Sequence, residues 1–295
     1  MTMQTITTVP ILPPRPNDGH KGTFGKVLII AGSMGFSGAA TLSGQAALRG
    51  GAGLVRLAVP RSILPIVAAI EPCYTTIPLP EDENGQITPK AITVLLPHLA
   101  DNDIVAVGPG LGQGRGAKEL LAVLISRPDL KLVIDADGLN VLAKSSEWVG
   151  SRKASIILTP HPGEMKRLWE NSFREPMPAD RKELTIRFAS KSGCVVVLKG
   201  AGTVVADSSR VYVNTTGNPG MATGGAGDVL TGLIAALNGQ GLSLFDASVL
   251  GVYLHGLAGD LAAQVYSQVA LVATDILRYL PAEIKRYLNT ARPKT

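Results

Sequence analysis

Short apolar runs recur along the chain, each ending in a turn marked by glycine or proline. KVLIIAG (26–32), LVRLAV (54–59), DIVAVG (103–108), KLVIDA (131–136), SIILTP (155–160) and CVVVLKG (194–200) predict buried strands. Between most of them the apolar spacing turns helical, as in AATLSGQAALRGG (39–51) and GAKELLAVLISR (116–127). Alternating strand and helix predicts an α/β fold: a central, mostly parallel sheet flanked by helices on both faces. GTVVADSSRVYVNTT (202–216) reads as a hairpin with Ser208 and Ser209 at its turn, extending the sheet on one side. From Leu242 onward the pattern is mostly helical. No linker divides the chain and no repeat appears, so 1–295 reads as one domain with residues 1–24 as an N-terminal extension.

The loops are as informative as the strands. AGSMGFSGAA, GPGLGQG, DADGLN, TPHPGE and KGAGT each follow a predicted strand directly. Ligands of open α/β sheets bind outside the carboxyl ends of the strands, so these five loops should face one cleft. A sixth segment, NPGMATGGAGDVLTG (218–232), is dense in glycine. From Gly225 on, Val229, Leu230, Leu233, Ile234 and Leu237 recur at helical spacing, and Gly239 suits a stop. Asp228 therefore falls in the first turn of a helix. Open N–H groups and the positive end of the helix dipole make such a turn an anion site. A carboxylate there suits a general base beside a phosphate. A helix cap is the plainer alternative for a lone Asp at a helix start.

Composition narrows the function classes. The 295 residues are 45% hydrophobic, enough for a sizeable core, and the 33 glycines gather at recurring points rather than in one tract. A net charge of +5 is compatible with an anionic ligand, but the cations are scattered and not interleaved with aromatics, which argues against nucleic acid. Cys73 and Cys194 lack metal-ligand spacing and are both expected as buried thiols. The N-terminus has no signal-peptide pattern and no window is long and apolar enough to span a membrane, so the expected setting is cytoplasmic.

Familiar motifs can be set aside. No P-loop spacing is present, and GSMGFSG lacks the dinucleotide fingerprint as well as the acid that would bind a ribose. No serine sits in a nucleophile elbow. His20, His98 and His255 suggest no ligand set.

GGAGDVLTG (224–232) resembles the ribokinase-like superfamily, whose members use the aspartate of this turn as catalytic base. Together with HPGEMKRL, GPGLG, DADGLN, VVLKGAGTVV and FGKVLIIAGSMGFSGAA, residues 24 to 240 are similar to the ADP- or ATP-dependent NAD(P)H-hydrate dehydratases, hydro-lyases of metabolite repair. The resemblance implies restoration of the S epimer of NAD(P)H hydrate to NAD(P)H. The ring hydroxyl is phosphorylated from ADP or ATP, with ADP favoured by the bacterial members, and phosphate then departs. It implies Asp228 as base and substrate contact. Gly225, Ala226 and Gly227 form the anion hole, and Lys199, Gly200, Ala201, Gly202 and Thr203, with Gly227, bind nucleotide. Ala39, His161 and Gly110, or Gly112 in its stead, bind the hydrate. Glu164 is implied as the acid that organises Mg²⁺ through water. His161 could instead be a loop residue satisfied by backbone, Glu164 a first-turn acid, and the KGAGT turn an ordinary hairpin entry. Asp137 and Asn140 either line the cleft or form a capping turn. A homotetramer is implied, with the epimerase as a separate protein. The runner-up is a small-alcohol kinase of the same superfamily, similar to hydroxyethylthiazole kinase; a regulatory module without turnover is disfavoured because Asp228 is present.

Overall fold

A computed structural model describes residues 3–291; of the N-terminal extension, residues 1 and 2 lie outside it. The strands are β1 (Gln4–Ile6), β2 (Lys26–Ile30), β3 (Leu54–Pro60), β4 (Thr75–Leu79), β5 (Ile104–Val107), β6 (Lys131–Ile134), β7 (Ser155–Leu158), β8 (Val195–Leu198), β9 (Val204–Ala206) and β10 (Arg210–Val213). The helices are α1 (Ser37–Arg49), α2 (Leu64–Ile70), α3 (Lys90–Leu99), α4 (Arg115–Ile125), α5 (Asp137–Leu142), α6 (Trp148–Ser151), α7 (Pro162–Ser172), α8 (Arg181–Ser192), α9 (Ala226–Gly239), α10 (Leu244–Tyr266) and α11 (Ala273–Ala291).

All ten strands join one sheet in the order β1-β10-β9-β8-β7-β6-β5-β2-β3-β4. Strands β2 to β8 are parallel where they pair, and β9 alone runs against its neighbours β8 and β10. The expected hairpin is thus present. Its turn is held by Asp207, whose Oδ1 accepts from the backbone N–H groups of Ser209 and Arg210.

Alternate residues of each central strand feed opposite cores, as the two-residue period of a strand requires. Leu28, Ile30, Val105, Val107, Leu132 and Ile134 pack with α3, α4, α5, α7 and α8 on one face. Val27, Ile29, Ile104, Ala106 and Val133 pack with α1, α2, α9 and α10 on the other. A third apolar cluster joins α9 and α10 to α11.

The observed strands end one or two residues before several of the predicted runs, because the chain leaves the ladder there to build the cleft loops. Two strands lie outside the predicted set. β4 contains Pro78, which an edge strand tolerates because one side of it needs no N–H. β1 lies in the extension and pairs parallel to β10. The cysteine expectation needs one correction: Cys194 is buried, but Cys73 is exposed. Cys73 sits in a turn where its N–H donates to Glu71, and the next residue, Tyr74, enters the core instead. No helix of the described residues is long and apolar enough to cross a membrane.

Candidate active site

The chain goes outward from β2 to β4 on one side, then returns to place β5 on the other side of β2. That reversal is the topological switch point, where an open α/β sheet leaves a crevice. The loops after β2 and β5 meet across it: Gly32 N–H donates to Pro109 O and Ser33 Oγ donates to Gly110 O, both at 2.8 Å. Ala39, in the first turn of α1, lies against Gly110, with a Cβ built at Gly110 falling 3.0 Å from that of Ala39. Phe36, the residue preceding α1, is 60% exposed beside them.

The loop after β6 divides its two acids. Ala136 is held at φ 48°, a conformation unusual for a residue with a Cβ, and lies between them. Asp137 accepts from Gly112 N–H at 2.9 Å and from the Gln113 side chain, so it fastens the GPGLG loop. Asp135 points the other way, is 1% exposed, and accepts from Lys199 Nζ at 2.6 Å and from Thr231 Oγ1 at 2.9 Å.

His161 precedes α7. Its Nδ1 accepts from the N–H groups of Gly163 and Glu164, and its own N–H donates to Glu164 Oε2 at 2.8 Å, a reciprocal cap. This hydrogen-bond network places the ring proton on Nε2. Burial, then the charges of Lys199 and Arg167, lower its pKa and favour the neutral ring. Backbone satisfies one ring nitrogen, while Nε2 faces Glu164 Oε1 at 3.4 Å and the ring stays half exposed. Glu164 is therefore a first-turn acid, as the simpler reading had it, and also a buried group 3.8 Å from Lys199 Nζ. Burial raises its pKa to about 7 against the attraction of Lys199.

KGAGT forms the entry to the β8–β9 hairpin. Arg181 donates to the carbonyls of Leu198, Lys199 and Ala201, and Thr203 Oγ1 donates to Gly200 O, so the turn is tied down from both ends. Gly202, between them, is at φ +60°. Lys199 reaches back toward β6. Burial alone would depress its pKa, but the carboxylates of Asp135, Glu164 and Asp228 outweigh that and hold it raised, hence charged.

Helix α9 supplies the last wall. Val229, Leu233, Ile234 and Leu237 are fully buried and Leu230 nearly so, as the spacing predicts. The residue preceding the helix is Gly225 at φ 90°, and no side chain caps it. The N–H groups of Gly225, Gly227 and Asp228 have no partner among the described residues, and Ala226 N–H makes only a 3.4 Å bond to Thr223 O. Beneath, buried His255 Nε2 lies 3.0 Å from Ala226 O, and burial lowers its pKa to about 4, so the neutral ring donates to that carbonyl. A Cβ at Gly227 would lie 3.4 Å from Lys199 Nζ, so the ammonium borders the open N–H groups. The Asp228 carboxylate accepts no hydrogen bond within the described residues. Burial first, then the nearby charge of Asp135, raises its pKa to about 7. The capping alternative is thus not what the side chain does. Asn218-Pro219-Gly220, by contrast, is scaffold: Asn218 accepts from Gly220 N–H and donates to Gly259 O and Asp260 on α10.

The structure therefore gathers Asp228, Gly225–Gly227, Lys199, Glu164 and His161 around one cleft, with Ala39 and Gly110 at its switch-point end. Asp135, Thr231 and Arg181 are contributors that the sequence reading left out. Asp135 had a legible signal, an acid ending an apolar strand; Thr231 and Arg181 had none. Glu164 presents a hard oxygen donor of the kind that suits Mg²⁺, an ion usually bound by one or two carboxylates, water and substrate phosphates, whereas both oxygens of buried Asp135 are taken by Lys199 and Thr231. No group of three or more His, Cys, Asp or Glu side chains placed to hold a metal ion is present among the described residues.

The sequence profile of the NAD(P)H-hydrate dehydratase family matches residues 27–282. A bifunctional NAD(P)H-hydrate repair enzyme of Moorella thermoacetica is 46% identical over 271 residues, covering 92% of this chain and 51% of the relative. The chain thus spans about half the length of the curated relatives it matches. The ADP/ATP-dependent NAD(P)H-hydrate dehydratase of Bacillus subtilis, co-crystallised with ATP and Mg²⁺, superposes with a TM-score of 0.78 at 30% identity, covering 94% of each chain. A ribokinase-like superfamily protein of Enterococcus faecalis gives a TM-score of 0.81 at 27% identity, covering 97% of this chain and 96% of that one.

Proposed function

The chain belongs to the NAD(P)H-hydrate dehydratase family, and we propose that it restores the S epimer of NAD(P)H hydrate to NAD(P)H using ADP or ATP. The observation that carries this reading is Asp228: a half-buried carboxylate, free of hydrogen-bond donors, in a helix turn whose N–H groups are open.

Hydrating the ring of NAD(P)H leaves a hydroxyl on a carbon next to the ring nitrogen. Hydroxide is a poor leaving group, so the hydroxyl must first be made a better one. Asp228 takes the hydroxyl proton as the oxygen forms its bond to the terminal phosphorus of the nucleotide, and the bond from that phosphorus to the leaving AMP or ADP breaks. The N–H groups of Gly225, Ala226 and Gly227, with the Lys199 ammonium beside them, hold the charge of the transferring group. The nitrogen lone pair then expels phosphate, and loss of the neighbouring ring proton restores the double bond. Gly200 to Thr203 cradle the nucleotide, while Ala39, Gly110 and His161 seat the hydrate, His161 as a donor through Nε2. Glu164 would hold Mg²⁺ through water, and that ion would supply charge neutralisation at the phosphates. The remaining expectation, a homotetramer, belongs to the same proposal and draws on the family resemblance.

The test is incubation with NADH hydrate, Mg²⁺ and ADP or ATP, following return of the reduced-nicotinamide absorbance. One phosphate should appear per NADH restored, and none of either without nucleotide. Full restoration in the absence of nucleotide contradicts the phosphorylation route. A small-alcohol kinase would instead phosphorylate a hydroxyethylthiazole-like alcohol and leave the hydrate untouched.

A further inference from the structure

Beside the cleft, α5, α7 and the loop before α4 frame an open depression of about 500 Å³ lined by Gln113, Asn140, Ala143, Lys144, Arg167 and Asn171. Five of these side chains can hydrogen-bond, two of them carry positive charge, and no carboxylate is among them. Lys144 and Arg167 are exposed, and neither pairs with an acid within the described residues. Unpaired cations with no carboxylate on the same wall are what an anionic ligand requires.

Arg167 is also aimed. Its Nε donates to Asn140 Oδ1 at 3.0 Å, which fixes the plane of the guanidinium and leaves its terminal nitrogens for a ligand. One of those nitrogens lies 3.7 Å from a Cβ built at Gly163, so the group reaches the first turn of α7 beside His161. On the opposite wall, Gln113 follows Gly112 and is held by Asp137, whose two oxygens are already taken by Gln113 and Gly112 N–H. The depression thus adjoins two of the expected hydrate contacts. Its helices pack on the first face of the sheet, whereas α9 with the open N–H groups packs on the second.

A hydrate seated with its ring at Asp228 and His161 must lead the rest of the dinucleotide out of the cleft. That remainder carries a pyrophosphate in either cofactor, and a further 2′-phosphate in NADPH hydrate. We propose that Lys144 and Arg167 bind phosphate of the dinucleotide remote from the nicotinamide ring, making this groove the subsite for the substrate's tail. The inference rests on the dehydratase reading and adds a specificity site to it.

The test compares the wild type with Arg167→Ala, Lys144→Ala and the double variant, measuring KM and kcat for NADH hydrate, NADPH hydrate and the hydrate of reduced nicotinamide mononucleotide, which lacks the tail. Both side chains are exposed, so truncation leaves the core intact. Losing charge-assisted phosphate contacts should raise the double variant's KM for the dinucleotide hydrates about tenfold or more. The loss should fall on KM rather than kcat, and the wild type's preference for dinucleotide over mononucleotide should collapse. An equal rise for both dinucleotides identifies the pyrophosphate as the contact; a larger rise for NADPH hydrate identifies the 2′-phosphate. An unchanged hydrate KM in the double variant, or a rise confined to the KM of ADP or ATP, overturns the proposal. A wild-type protein that restores no hydrate overturns the dehydratase reading itself, and this subsite with it.

Discussion

Lys199 Nζ lies 2.6 Å from Asp135 Oδ1, across 64 residues of chain. The contact joins the turn after β8 to the end of β6 across the intervening β7. Thr231 on α9 donates to the second oxygen of the same carboxylate. One acid therefore sets the positions of the ammonium, the base-bearing helix and the loop between them.

Asp135→Asn keeps the shape and the bond to Thr231 but removes the charge that faces Lys199. Breaking one side of a buried pair costs about 3–5 kcal/mol; Lys199 is 19% exposed, so a value toward the lower end is expected. Chemical denaturation checks this. The charge of Asp135 also helps to raise the Asp228 pKa. The acidic limb of the rate profile should therefore move to lower pH in this variant, a shift that a purely structural role would not produce.

Turnover itself should rise with pH through about 7, because Asp228 must lose its proton to act as base and its pKa is raised to about 7. Stability should run the other way. Between the unfolded pKa near 4 and the folded value, the native state binds the extra proton, so ionising Asp228 destabilises the fold as pH rises across that window. Asp228→Asn removes the penalty. Its melting temperature should exceed the wild type's by a few degrees at pH 8, and the difference should shrink at pH 4. Thermal melts at the two pH values decide the matter.

The two glycines flanking Ala226 should respond differently to Val. Gly225 is at φ 90°, and a Cβ there would fall 2.6 Å from Leu42 Cδ1, so Gly225→Val should destabilise the protein by about 1–3 kcal/mol or more. At Gly227 a Cβ meets only Lys199 Nζ at 3.4 Å and Asp135 Oδ2 at 3.6 Å. Gly227→Val should fold, yet bind nucleotide weakly and turn over slowly, because its branches cover the N–H groups. Melting curves and nucleotide titration on both variants separate the two effects; normal binding by a folded Gly227→Val protein removes the anion-hole assignment.

These differences mark how far the sequence could be read. The apolar strands, their order of alternation with helices, and α9 with Asp228 in its first turn were all legible, because period and glycine placement are local properties. Strand β4 was hidden by Pro78, and β1 by its short, exposed character, since pairing at a sheet edge leaves little pattern. His161 and Glu164 were legible as a pair three residues apart. The contact between Asp135 and Lys199 was not, because it depends on the order of strands in the sheet and not on spacing along the chain. Arg181 was invisible for the same reason, being an arginine on α8 whose carbonyl partners lie on another element.

The most direct measurement is the rate of NADH recovery by Asp228→Asn, set beside its affinity for ADP or ATP under the same conditions. Asn retains the size of the side chain and lacks the proton acceptor. With Asp228 as the base, recovery should fall about 10²–10⁴-fold, while nucleotide affinity is kept or rises slightly as a charge near the phosphates is lost. A folded Asp228→Asn protein that restores NADH at a near-normal rate would contradict the assignment of the catalytic base.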